Sequence, residues 1–297
     1  MSDNLPAHLD ANLPTNIESL TDKELIALFG GSQNEGIDLP SLRVNYDDED
    51  NDGNEIPRGQ WAITLKGVTV YSKTVSFRVF MPRNQYSHYD RDANELVSKS
   101  VLFQNFRDPE IYSTCGRMKC GKLSKKDFEN LDTGEKEIQK QIKAAKVLFG
   151  LITITGVDAH KNEHTFENEP AMFFARGTNF MPIADKLQEL EKKHIFYPRV
   201  WLDFSLQRKK NDGVTYWEVV PEVGAQADIS PTDFGLLRDF SETIKLENES
   251  VFNKYNRNKN KVRDANAASF DGEANELDPL NDLNDDLPED MNPLDAG

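Results

Sequence analysis

Basic and aromatic residues occur together through residues 61–123, and side chains of these two kinds could bind a nucleic acid. This stretch carries 10 basic and 5 acidic residues, which makes it the most cationic part of the chain. A single strand needs cations for its phosphates and aromatic faces for its bases, and each stacked base contributes about 1–3 kcal/mol. The candidate nucleic-acid-binding residues are Tyr71, Lys73, Arg78, Phe80, Arg83, Tyr86, Tyr89, Arg91, Phe106, Arg107, Tyr112, Arg117, Lys119, Lys122, Arg199 and Trp201.

Predicted strands must position part of this set. The apolar residues from Val75 to Met81 alternate along one face of a strand, so Arg78 and Phe80 fall on the other face. Arg199 and Trp201 alternate with apolar residues in the same way. We interpret both of these opposite faces as exposed to solvent.

The remaining candidates fall in residues 82–123, which we predict to be a long irregular loop. Loops of this length inside a compact domain are usually functional or disordered. Residues 124–146 predict an exposed helix of mixed charge, residues 147–156 a central strand, and residues 157–170 a polar loop. The sequence therefore predicts that an irregular segment supplies much of the binding surface.

The order of elements predicts a mainly β protein with helical insertions, of the α+β class. About six strands and three or four helices are indicated, and they do not alternate as a parallel α/β sheet requires. A partly closed antiparallel barrel of the OB type fits this pattern best. The predicted segments are an acidic N-terminal segment with a short helix (1–38), an OB-like nucleic-acid-binding domain (39–225), a C-terminal helical segment (226–262) and a disordered acidic tail (263–297).

The formal net charge of −16 is concentrated at the two ends of the chain. Residues 1–60 hold 3 basic and 13 acidic side chains, and residues 263–297 hold 1 basic and 11 acidic ones. Residues 61–262 hold 31 basic and 27 acidic side chains, so the central region is mildly cationic. The overall acidity therefore does not argue against binding of an anionic partner by that region.

The motifs of common enzyme classes are missing from the sequence. It contains no phosphate-binding loop, no G-x-S-x-G, no H-E-x-x-H and no dinucleotide fingerprint. We therefore predict that the protein is not an enzyme and needs no cofactor. The absence of a long apolar run, of a secretory signal and of a cysteine framework predicts a cytoplasmic protein without membrane contact.

Two arrangements of possible metal ligands occur. We predict no metal at either, but the sequence leaves open whether the second arrangement binds zinc. Asp48, Asp50 and Asp52 have the spacing of a calcium loop, but the twelfth position, which needs a glutamate, is Gly59. Cys115, Cys120, His160 and His164 offer zinc-ligand residue types. About forty residues separate the cysteine pair from the histidine pair, far beyond the spacing of a zinc finger, which is about 12–15.

The segments LPSLRVN, IPRGQWAITL, VSFRVFMPRNQYSHYD and CGRMKCGK, together with the acidic C-terminus, resemble the replication single-stranded DNA-binding proteins of tailed phages. The resemblance implies an OB-fold body and a tail that competes with DNA and recruits a polymerase, primase or helicase. The corresponding tail residues are Leu277, Leu280, Leu283, Asp285, Asp286, Leu287, Glu289 and Asp290. This tail ends in NPLDAG, whereas that family commonly has a terminal aromatic residue.

We therefore predict a sequence-independent single-stranded DNA-binding protein of phage-type DNA replication, recombination or repair. The alternative is a virion structural or assembly protein that binds no nucleic acid, and a nuclease or recombination enzyme is the third hypothesis. The sequence leaves open whether the protein forms a homo-oligomer.

Overall fold

The computed structural model describes residues 39–268, apart from residues 91, 92, 94, 122, 124–127 and 212. Beyond residue 260 it describes only the backbone. The predicted N-terminal helix, Arg91, Lys122 and the acidic tail lie outside the described residues.

The prediction of a mainly β protein with a few helices is confirmed. The strands are β1 (Ser41–Val44), β2 (Trp61–Leu65), β3 (Val68–Ser72), β4 (Thr74–Asp90), β5 (Glu95–Lys99), β6 (Ile142–Val157), β7 (Glu163–Arg176), β8 (Val200–Asn211) and β9 (Val214–Gln226). The α-helices are α1 (Thr133–Gln141), α2 (Phe180–Lys192) and α3 (Pro231–Ala268), and short 3-10 helices span Lys119–Gly121, Gly177–Asn179 and Tyr197–Arg199.

Five of the strands close into a ring. Around it, β1 pairs with β2, β2 with β3, β6 with β7, and β7 with β1. The pair Tyr71–Val157 joins β3 to β6 and completes the circle. The β1–β7 pair is parallel, whereas the prediction was an antiparallel barrel. The sheet continues outside the ring from β6 to β4, β8 and β9, and β5 also pairs with β4.

Three sequence-based boundaries were wrong, all because β4, β6 and β7 are longer than predicted. β4 continues to Asp90 through the predicted irregular loop, and β6 begins at Ile142 within the predicted helix. β7 begins at Glu163, inside the predicted polar loop. Pairing along nearly the whole of β6 satisfies the backbone of these polar segments, and strand pairing overrides their local preferences.

The main core follows the predicted alternation, and it extends from the ring to β4 and β8. Val75, Phe77 and Val79 are buried on one face of β4, and the alternating apolar residues of β8 are buried as well. The fully buried Trp61 donates a hydrogen bond from Nε1 to the Phe204 carbonyl oxygen at 3.1 Å. The core therefore forms where period-two patterning predicts it.

Helix α3 runs along the outside of the sheet and is fixed to it at several points. Glu247 pairs with Lys99 at 2.6 Å, and Asn248 exchanges two hydrogen bonds with the backbone of Leu102. The side chains of Phe240 and Val251, which belong to α3, are buried. Helix α3 is 38 residues long. None of the described helices is both long and apolar enough to span a bilayer.

Candidate nucleic-acid interface

The strand face that carries Arg78 and Phe80 is buried, which corrects the prediction that it faces solvent. The Arg78 guanidinium forms two hydrogen bonds of 3.1 Å with the Asp233 carboxylate. It also donates to the carbonyl oxygens of Pro198 at 2.6 Å and Asp228 at 3.0 Å. Phe80 packs against Phe240 of α3. This arginine and phenylalanine hold α3 on the sheet and are not accessible to a ligand.

Two predicted tyrosines are also buried. Tyr71 packs with Ile56 and Ala62 beneath the loop that joins β1 and β2. Tyr86 is 1% exposed and stacks on Phe103 at a centroid distance of 5.4 Å. Burial raises the pKa of Tyr86 to about 12. Neither ring offers a face to a nucleobase.

The other described candidates do not form one groove. Lys73, Tyr89, Arg107, Arg117 and Arg199 are exposed, and Arg83, Phe106, Tyr112, Lys119 and Trp201 are half-buried. Lys73 directly precedes β4, and Tyr89 is the last residue but one of that 17-residue strand. Phe106 packs into the cluster around Tyr86 and Phe103. The predicted cationic loop is therefore largely a second small core.

A groove on the outer surface of the β1–β7 pair brings cations and aromatic rings together. Leu42 pairs with Phe173, and both are buried in the core. Because side chains alternate along a strand, the next residues, Arg43 and Phe174, lie on the outer face. Arg176 follows two positions later on that same face. These residues line a cavity of about 540 Å³ together with Ser41, Leu42, Val44, Tyr46, Phe173 and Asn179.

We call Arg43, Tyr46, Phe174, Arg176 and Asn179 the arginine groove. The Arg176 guanidinium lies over the Phe174 ring, 4.9 Å from its centroid. Shielding from water by neighbouring atoms lowers the pKa of Arg176 from its usual value. Neither arginine of the groove pairs with a carboxylate among the described residues. Two unpaired guanidiniums at one cavity favour an anion that accepts several hydrogen bonds, such as a phosphate.

Asn179 and Tyr46 form two further sides of the groove. Asn179 accepts a hydrogen bond from the Val219 backbone NH at 2.9 Å, which leaves its amide NH₂ group for another acceptor. Tyr46 is 47% exposed, and its ring meets the indole of Trp217 edge-on at 5.5 Å. Tyr46 therefore connects the cavity to the hairpin of β8 and β9.

We call Arg58, Arg208 and Trp217 the tryptophan edge of the groove. Arg58 lies 5.7 Å from the centroid of the Trp217 ring and also pairs with Asp48 at 3.2 Å. Arg208 is directly opposite Trp217 in the hairpin register. A Cβ atom at Gly59 would collide with the indole, so only glycine allows Trp217 this position. The edge adds another aromatic face and two cations beside the cavity.

Sequence reasoning missed most of this interface. Arg43 lies in a strand of only four residues, and Arg176 is the last residue of its strand. The available signal was the pair Phe173–Phe174, in which one ring must point outward if the other is in the core. The pairing of β1 with β7 joins segments more than 120 residues apart, and the sequence alone does not reveal it.

The four residues considered for zinc lie in two separate places. Cys120 Sγ is 3.4 Å from the carbonyl oxygen of Tyr86, and Tyr86 pairs with Ala144 of β6. His164 pairs with Gly156, twelve residues further along β6. At about 3.3 Å per residue, roughly 30–40 Å separates these positions. One zinc ion cannot bind both pairs.

The local chemistry of these residues is explained without a metal. Burial raises the pKa of Cys120 to about 12, which disfavours the thiolate that metals bind. His164 forms a hydrogen bond of 2.9 Å with Asp158. In the part of the chain that the structure describes, no group of three or more histidine, cysteine, aspartate or glutamate side chains could hold a metal ion.

The acidic loop considered for calcium forms a hydrogen-bonded turn. Asp50 accepts hydrogen bonds from the backbone NH groups of Asp52 and Asn54, and from the Asn54 side chain. These bonds lower the pKa of Asp50. Its carboxylate closes the turn that precedes Trp61.

Comparison of the chain with protein-family models, with curated proteins and with solved structures finds no match. We therefore infer the function from the chemistry of the interface.

Proposed function

We propose that the protein binds single-stranded DNA, without sequence specificity, through the arginine groove and its tryptophan edge. The observation that carries this proposal is the presence of two guanidiniums, those of Arg43 and Arg176, in a cavity that also exposes aromatic rings. Neither guanidinium pairs with a carboxylate of the described residues. Phosphates would lie against the guanidiniums, and bases would stack on Tyr46, Phe174 or Trp217. This combination of cations and aromatic faces is the one that binds single strands in a sequence-tolerant way.

A single strand fits this surface better than a duplex. The bases of a duplex are stacked on one another, so their faces are not available to Tyr46 or Trp217. Unpaired bases can be splayed out and stacked on aromatic rings. A duplex would contact only the cations, and we expect its binding to be weaker.

The closed ring of five strands supports an OB-like body as the finer description of the fold, since OB-folds are small five-stranded barrels that bind oligonucleotides. We also propose that the protein acts in phage-type DNA replication, recombination or repair, in the cytoplasm of a host cell. The acidic tail would compete with DNA and recruit a polymerase, primase or helicase. In this proposal the protein catalyses no reaction.

Tryptophan fluorescence during titration with oligo-dT tests the proposal. Trp61 is fully buried, whereas Trp217 is half-buried at the edge of the groove. We expect oligo-dT to quench the emission of the wild type, and Trp217→Phe to lose most of that quenching. The affinity should fall as salt rises, because bound phosphates release counterions.

Duplex DNA and poly-rU serve as competitors in the same titration, and they test strand and sugar preference. A wild-type protein that binds oligo-dT and duplex equally weakly at low salt would contradict the proposal. That result would favour the alternative of a virion structural or assembly protein.

A further inference from the structure

A second cationic surface lies on the C-terminal half of α3. Residues 250–263 contain five basic residues and no acidic residue, and four asparagines lie among them. Arg257 and Lys259 are exposed. The first half of the same helix carries charges of both signs, as an ordinary solvated helix face does. Because the charge changes along one helix, the excess of positive charge in its second half indicates a binding surface there.

The loop before the 3-10 helix at Lys119–Gly121 is fastened to this part of α3. Asn258 donates a hydrogen bond from its side chain to the Thr114 carbonyl oxygen at 2.6 Å. A Cβ atom at Gly116 would lie 2.6 Å from the Lys259 backbone nitrogen, so the loop and the helix are in close backbone contact there. Arg117 follows directly and is exposed. Two distant segments of the chain thus contribute cations to one surface.

Aromatic rings lie within this surface. The ring centroid of Tyr112 lies 5.0 Å from that of Phe252 and 4.9 Å from that of Tyr255. Phe252 is 41% exposed, so part of its ring is open to solvent. The Lys259 ammonium lies 5.7 Å from the Tyr255 ring centroid. The surface therefore combines the same two kinds of side chain as the arginine groove.

Carboxylates leave these cations largely unbalanced. Across the described residues, Arg117, Arg257 and Lys259 form no ion pair. The acidic residues near this surface are Asp108 and Glu110. Burial is the largest cause that raises the pKa of Tyr112, and the negative charges of Glu110 and Asp108 raise it further. They lie at the loop end of the surface, and the exposed cations of α3 remain available to an anion.

This surface and the groove belong to different parts of the sheet. The groove lies on β1 and β7, and β6 separates β7 from β4. The loop of this surface is joined to β4, because Cys120 Sγ lies 3.4 Å from the carbonyl oxygen of Tyr86. Tyr86 and Val251 of α3 belong to the same buried cluster. A strand must therefore extend beyond the groove to reach the helix.

We propose that the C-terminal half of α3 and the 111–121 loop form a second nucleic-acid contact, which binds the phosphate backbone of a strand that extends beyond the arginine groove. This inference rests on the proposed function and adds a second surface to it. Its chemical partner is the polyanionic backbone, with Phe252 as a stacking face. A long strand engages both surfaces, and a short strand engages the groove alone.

The test compares two double variants of the full chain with oligo-dT of two lengths. Arg257→Gln with Lys259→Gln removes two charges from the proposed surface. Arg238→Gln with Lys245→Gln removes two exposed charges from the first half of the same helix, and serves as the matched control. Oligomers of about 8 and about 40 nucleotides span the range from one groove to both surfaces.

With the longer oligomer, we expect the Arg257/Lys259 variant to lower the slope of log affinity against log salt by about 1.4, since each phosphate contact on a single strand contributes about 0.7. The control should leave that slope unchanged. With the shorter oligomer, both variants should bind as the wild type does. Asn258→Ala, which removes the link to Thr114 but no charge, should weaken binding of the longer oligomer only.

Equal behaviour of the two double variants with the longer oligomer would overturn the second contact. Loss of short-oligomer binding in the Arg257/Lys259 variant would also overturn it, because the helix would then belong to the primary site. Failure of the proposed function looks different: the wild type itself would bind neither oligomer.

Discussion

Two arginine–phenylalanine pairs occupy similar positions on neighbouring parts of the sheet, yet they have opposite surroundings. Arg78 lies 5.1 Å from the centroid of the Phe80 ring, and Arg176 lies 4.9 Å from that of Phe174. Arg78 is buried and bound by Asp233 and two carbonyl oxygens. Arg176 reaches solvent beside a cavity and pairs with no carboxylate in the described chain.

The difference shows that a cation next to an aromatic ring does not by itself mark a binding site. Whether such a cation can bind a ligand depends on whether the fold brings a carboxylate to it. Asp233 reaches Arg78 from 155 residues further along the chain, at the start of α3. The two pairs therefore predict different results when each arginine is removed.

The largest expected effect is that of Arg78→Ala on stability. Removing one partner of a buried ion pair leaves the other charge uncompensated, and costs about 3–5 kcal/mol in the free energy of unfolding. Urea denaturation of both variants measures it. Arg176→Ala is the matched control, and it should change stability by less than about 0.5 kcal/mol. Similar losses for the two variants would mean that both arginines are structural.

The next effect concerns DNA affinity. Arg43→Gln with Arg176→Gln should weaken binding of oligo-dT by roughly 10- to 100-fold, since hydrogen bonds to charged groups contribute about 1.5–3 kcal/mol. Lys73→Gln with Arg107→Gln removes the same charge from exposed positions outside the groove. Fluorescence anisotropy should show little change for this control. If both double variants weaken binding equally, the effect is one of net charge and not of the groove.

A smaller loss is expected for the tryptophan edge. Trp217→Ala should cost about 1 kcal/mol of binding energy, the lower end of the range for one stacked base, because Gly59 and Tyr46 already cover part of the indole. Trp217→Phe keeps a stacking face and should bind nearly as the wild type does. Equal affinities for all three proteins would exclude stacking at this position.

The smallest expected effect is the pH dependence of the stability that the buried Arg78–Asp233 pair contributes. Burial acts to raise the pKa of Asp233, but its hydrogen bonds with Ser230 and the charge of Arg78 together outweigh burial and lower it. The resulting stability is present above the unfolded-state pKa of about 3.9 and is lost as the pH falls through the folded-state pKa. The stability advantage of the wild type over Asp233→Asn should therefore be constant near neutral pH and shrink below about pH 4. A difference that does not change with pH would contradict the role given to Asp233.

The parts of the fold that the sequence predicted are those set by local pattern. The alternation of Val75, Phe77 and Val79 identified a core face on β4, and the apolar residues that alternate with Arg199 and Trp201 identified another on β8. The opposite face of β4 could not be assigned, because a helix that begins at Pro231 covers it. Period-two alternation separates two faces, but it does not say that one of them is exposed.

The candidate site was harder to predict than the core. The cationic richness of residues 61–123 was real, but Arg78 binds a carboxylate and Tyr86 packs in a small core. The residues of the groove come from β1, β7 and the loop after β1, which are far apart in sequence. Their closeness depends on strand pairing, and a single sequence gives no direct signal of it.

Ultraviolet crosslinking of the wild-type protein to an oligo-dT of about 8 nucleotides, followed by mass spectrometry of the crosslinked peptides, tests the central claim most directly. Such crosslinks form only where a base touches a side chain. The proposed site predicts crosslinks at Tyr46 or Phe174 of the arginine groove, or at Trp217 of the tryptophan edge. Crosslinks confined to residues outside the groove, such as Tyr89 or Trp201, would contradict it.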